Sequence, residues 1–248
     1  MNTMDPNVPP QIPAVPQLLP LGGDPQEREP ILNLLIAIEA ILRQPRRVML
    51  QLRQPGAGRL VGILLFGVLV CSLVYGAVVG SFSMGTQLWA APAKISAGLL
   101  ITAVICLPSL YIFACISGSR AGFQEICGLV AGLLMLMTLL LVGFAPIAWL
   151  FSQSTGSVAW MGALHLAFWL IATCFGVRFL AHGFSHSHAR SRAGLVTWVI
   201  IFVLVAVQMT TALRPLVGTG NSFLPTSKQF FLTHWAESLR QTPDPAPR

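Results

Sequence analysis

Hydrophobic positions gather into four blocks that contain no Asp, Glu, Lys or Arg: Leu60–Ala93, Ile95–Ser119, Ile126–Val177 and Ala193–Leu213. Each is long enough to cross a hydrocarbon layer of ~30 Å, which takes ~20 helical residues. A charge held at the centre of such a helix costs about 2.5–3.5 kcal/mol on insertion scales, so lipid selects against it. The first block predicts a span over about 60–80, and the second a span over about 97–117 with Pro108 inside it. The third block would make a helix ~78 Å long at 1.5 Å per residue, so it must turn back. Ser152-Gln153-Ser154-Thr155-Gly156-Ser157 is the polar, turn-forming break. Spans over about 126–151, kinkable at Pro146, and about 158–180 follow, and a fifth covers about 195–213. The predicted fold is all-α, a polytopic membrane helix bundle of about five transmembrane helices, with interfacial amphipathic helices at both ends.

Two apolar stretches are too short to cross. Ile31–Leu42 places Ile31, Leu34, Leu35, Ile38, Ile41 and Leu42 at helical spacing, with Glu27 and Glu29 before it and Arg43 then Pro45 after it. It predicts a helix lying on the membrane or packed across the base of the bundle. Leu-Arg-Gln-Pro occurs at 42–45 and again at 52–55; a duplicated helix–stop unit is one reading, chance the favoured one. Near the other end, Phe231, Leu232, Trp235 and Leu239 share one face of a helix capped by Thr226 or Ser227, read as an outer interfacial helix. The chain therefore divides into a Pro-rich mobile tail (1–30), an interfacial helix and basic segment (31–59), the five-span bundle (60–214) and an outer helix and tail (215–248).

Composition agrees with burial in lipid: 54% of residues are hydrophobic, 9% are charged, and the mean hydropathy is +0.73. The net charge of +7 does not point to nucleic acid, because the basic residues flank the spans instead of forming one dense patch. Anionic headgroups are the expected partner. Ten basic residues (Arg28, Arg43, Arg46, Arg47, Arg53, Arg59, Arg120, Arg178, Arg190 and Arg192) fall on one side of the predicted spans. Five (Lys94, Arg214, Lys228, Arg240 and Arg248) fall on the other. This asymmetry predicts a cytoplasmic N-terminus and an external C-terminus.

Candidate chemistry is sparse. His182, His186 and His188 form the one histidine cluster, at metal-ligand spacing. Their loop has no Asp, Glu or Cys, and Arg178, Arg190 and Arg192 crowd it, so a solvated basic loop is the favoured reading and no metal is expected. Within the spans, His165 and Gln208 lie at similar depth and are expected to hydrogen-bond across helices, or else to line a transport pathway with Pro108 and Pro146. Gly76-x-x-x-Gly80 and Gly128-x-x-x-Gly132 provide small faces for close helix contact. The five cysteines, at 71, 106, 115, 127 and 174, lack any C-x-x-C pair and read as small apolar fillers. Phosphate-loop, G-x-S-x-G and H-E-x-x-H patterns are missing, as is a carboxylate pair inside the membrane, so neither catalysis nor a cofactor is expected. A non-catalytic scaffold, anchor or accessory subunit beside other membrane proteins is the expected function, with a small transporter or channel subunit as the alternative.

The loop Gly118–Glu125 (Gly-Ser-Arg-Ala-Gly-Phe-Gln-Glu), the preceding Leu107-Pro108-Ser109-Leu110-Tyr111 and the Pro-rich N-terminal segment together resemble bacterial members of the Yip family of membrane proteins. That resemblance implies a five-span, non-enzymatic bundle acting through partners in trafficking or assembly.

Overall fold

The structure, a computed structural model, describes residues 21–83, 87–154, 158–186 and 193–212. Seven α-helices run through them in the order α1 Leu34–Arg43, α2 Pro45–Leu52, α3 Gly58–Ser83, α4 Gln87–Ile116, α5 Phe123–Ser154, α6 Val158–His186 and α7 Ala193–Ala212. A single 3-10 turn, Pro25–Arg28, precedes them. The outer interfacial helix expected beyond residue 226, the first twenty residues of the Pro-rich tail, and His188 lie outside the described residues.

Four helices, α3 to α6, are long and apolar enough to cross a membrane. The protein is an integral membrane protein, a polytopic all-α bundle. The apolar stretch described in α7, Ala193–Met209, is shorter than those four. Local chemistry explains where the helices stop. Asn33 caps α1 by accepting the Ile36 N–H at 2.9 Å, so the helix begins three residues later than the apolar pattern implies. Pro45 closes α1 and opens α2. Both copies of Leu-Arg-Gln-Pro thus sit at helix ends, the first after α1 and the second after α2. Helix α4 ends in a Schellman motif. Gly118 takes φ +72°, its N–H reaches Cys115 O, and the Ser119 N–H reaches Ala114 O.

The expected second span is corrected at its start. Helix α4 begins at Gln87, so Pro92 and Lys94, which fall between the first two expected spans, lie inside it. Lys94 is only 1% exposed. A criterion of missing charge stops at this lysine, whereas packing of the helix shields it from lipid. Proline at 92 is accommodated because Gly76 of α3, lacking a side chain, lets the Pro92 backbone lie against it.

Helices α3, α4 and α5 form the centre, each in contact with the other two, and the α3–α5 pairing is the most extensive. Helix α6 packs along α5, and α7 along α4. Helix α5 is the axis of the bundle: Gly128–Met135 are all buried. Helices α1 and α2 wrap this same part of α5, burying Ala37, Ala40, Ile41, Val48, Met49 and Leu52. Leu35 and Leu42 of α1 remain exposed. At the opposite end of the bundle, Trp89, Trp149 and Trp160 are exposed, the placement favoured by aromatic side chains at a membrane interface.

Candidate functional site

A charged platform is built where α1 and α2 meet the bundle. Gly22, at φ +89°, turns its N–H onto Glu27 Oε2 at 2.5 Å, and its carbonyl accepts from Arg28 Nε and Nη2 at 3.0 and 2.8 Å. Glu27 is buried, which a carboxylate tolerates only with charged and hydrogen-bonding partners. Arg46 supplies the charge, with Nε 2.5 Å from Glu27 Oε1. Arg47, also buried, donates Nε to the Glu29 carbonyl at 3.0 Å and lies 3.4 Å from the Glu29 carboxylate. Gln51 accepts the Ile31 N–H at 2.9 Å and gives its own amide to the Glu29 carbonyl. One further ion pair, Arg53 Nε to Glu125 Oε1 at 2.8 Å, fastens the platform to the first turn of α5. The basic segment is therefore a folded unit whose arginines are largely committed to internal contacts.

Inside the membrane, polar side chains join helix to helix. Ser72 of α3 donates to Ser96 of α4 at 2.8 Å. Trp198 of α7 donates Nε1 to the Cys106 carbonyl of α4 at 2.8 Å, and its ring stacks on Phe202. Thr138 and Thr173 return their hydroxyls to carbonyls of their own helices. Such bonds relieve the cost of a bare polar group in hydrocarbon and hold neighbouring helices in register.

His165 is bound to Tyr75, not to Gln208. The Tyr75 hydroxyl lies 2.7 Å from His165 Nδ1, and the two rings meet edge to face at 82° with centroids 5.7 Å apart. Helix α6 leans on α5 and α7 on α4, so His165 and Gln208 belong to different pairings. The other ring nitrogen, His165 Nε2, is buried with no hydrogen-bond partner among the described residues. The pattern of charge and hydropathy does not single out Tyr75. It is one of only two tyrosines in the chain, and a hydroxyl within an apolar span needs a partner, which is the signal that marks it.

The glycine motifs serve more than one neighbour. Gly76 receives the Pro92 backbone of α4, and Gly80 is buried in α3. Gly128 seats the Leu52 side chain from α2, whereas Gly132 seats Phe179 from α6. Gly67 and Gly183 make similarly close contacts although they form no short motif, and Gly176 lies less tightly against the Leu133 carbonyl. Cys71 and Cys106 are buried, whereas Cys115 and Cys174 are exposed. His182 is exposed on α6, His186 is the last residue of that helix, and among the described residues no group of three or more His, Cys, Asp or Glu is placed to hold a metal ion.

No family model, no curated protein and no solved structure matches this chain. Its function must be argued from the arrangement of its own residues.

Proposed function

We propose that the protein is a non-catalytic membrane subunit, a scaffold or anchor that fixes the platform of residues 22–53 against a bundle of five crossings. In this reading the N-terminus is cytoplasmic, the C-terminus is external and the membrane is a bacterial cytoplasmic one. The observation that carries the proposal is the Arg53–Glu125 pair together with the buried Glu27–Arg46 pair. These contacts hold a defined surface at the membrane face, as a docking protein requires. The resemblance to the Yip family points the same way, and the tight Gly118 turn between α4 and α5 suits the short loop on which that resemblance rests.

The test is photocrosslinking in intact cells from a benzoylphenylalanine at Leu50, a half-buried residue of α2. A protein adduct of discrete mass is expected, lost on Arg53→Glu and regained with Arg53→Glu combined with Glu125→Arg. Adducts to lipid alone would count against a subunit role.

One observation favours a second reading, a small transporter or channel subunit: His165 presents a buried, unbonded nitrogen beside Tyr75 within the span. Solute flux in proteoliposomes that disappears on His165→Leu would support it over the first.

A further inference from the structure

The outward stripe of α6 changes character along its length. Ile171, Cys174 and Phe175 are exposed and suited to acyl chains; one turn later Arg178 is exposed, then His182 and Ser185. Beneath them, Phe179, Leu180, Gly183 and Phe184 are buried, and Gly183 meets Leu129 of α5 while Phe179 meets Gly132. Arg178 is thus within the helix and not among the loop residues with which its charge groups it. It stands two turns before the end of a helix still packed on the bundle. Eighteen residue steps separate exposed Trp160 from Arg178, about 27 Å at 1.5 Å per residue, close to the ~30 Å of a hydrocarbon layer. An aromatic at one boundary therefore faces a guanidinium at the other.

We propose that Arg178, with His182 one turn further on, binds the phosphate of an anionic phospholipid at the end of the bundle where α3 begins. A guanidinium there sits at the last level of acyl chain. None of the ion pairs among the described residues involves it, and headgroup phosphates at that level match its charge and its two parallel N–H donors. His182 and Ser185, on the same stripe, stand at headgroup level beyond it. Inorganic phosphate offers the same chemistry but no acyl chains for the Ile171–Phe175 surface, so the lipid is the ligand.

Native mass spectrometry of the full chain released from nanodiscs of mixed phosphatidylcholine and phosphatidylglycerol tests this. The wild-type protein is expected to retain phosphatidylglycerol selectively. Arg178→Gln is expected to weaken that retention about fivefold, the effect of one basic side chain at an anionic surface, while Arg178→Lys keeps most of it. At this exposed position the variants are expected to fold as the wild type does, and unchanged thermal unfolding in detergent checks it. Equal retention by Arg178→Gln, or equal retention of phosphatidylcholine by the wild type, would overturn the proposal. So would displacement of the lipid by millimolar glycerol phosphate, which would make free phosphate the ligand.

Discussion

Tyr75 and His165, ninety residues apart in the chain, meet at 2.7 Å across helices α3 and α6, although each helix has its main contacts with α5. The bond closes a three-helix unit in which α5 is held from both sides. Tyr75→Phe or His165→Leu is expected to lower stability by roughly 0.6–2 kcal/mol, the range for a hydrogen bond between membrane helices. Unfolding in mixed micelles should show the double variant to be less destabilised than the sum of the two. Strict additivity would mean that the pair contributes nothing as a bond.

Gly76 lies against the Pro92 backbone, and backbone cannot turn aside as a side chain can. Gly76→Ala should therefore cost about 1–3 kcal/mol by overpacking. Gly143→Ala and Gly162→Ala, where nothing lies within 4 Å of the added carbon, should leave thermal unfolding in detergent nearly unchanged.

The Arg53–Glu125 pair is partly open to solvent, with side chains 29% and 15% exposed, so its loss should cost no more than about 1 kcal/mol. The consequence is local. Hydrogen exchange should quicken in α2 on Glu125→Gln and leave α6 unaffected, and added salt should mimic part of the effect in the wild type.

Trp198 anchors α7 through its donation to the Cys106 carbonyl. Trp198→Phe retains most of the ring surface and removes the donor, so a loss of about 1 kcal/mol is expected. Exchange protection should fall in α7 before it falls in α5.

The helices themselves were legible because lipid rejects charge, a rule that acts on every residue of a span independently. Its failure at Lys94 is instructive: the lysine is shielded by neighbouring protein, which the hydropathy of its own segment does not record. Arg178 was likewise grouped with the loop although the expected span already reached about residue 180, whereas α6 continues to His186 with one face still packed on α5. Which helices touch was not legible. His165 and Gln208 match in depth, but depth says nothing about who stands beside whom. That is decided by shape at Gly132, Gly176 and Gly183, where α5 and α6 fit together, and by Gly194, where α7 approaches Phe113 of α4 and Ser117 just beyond its end. The platform was half legible. Helical spacing announced α1, but nothing local announced that Glu27 would be buried against Arg46, nineteen residues away.

Helix α7 follows the other described helices in the chain yet has its main contacts with α4, a helix synthesised three places earlier. During biosynthesis the flank of α4 around Cys106 and Phe113 must therefore wait, facing lipid or an insertion factor, until residue 193 and beyond leave the ribosome. A chain cut short before that point would present this uncovered flank of α4 to quality-control proteases, so arrival of α7 decides whether the bundle's surface is closed there.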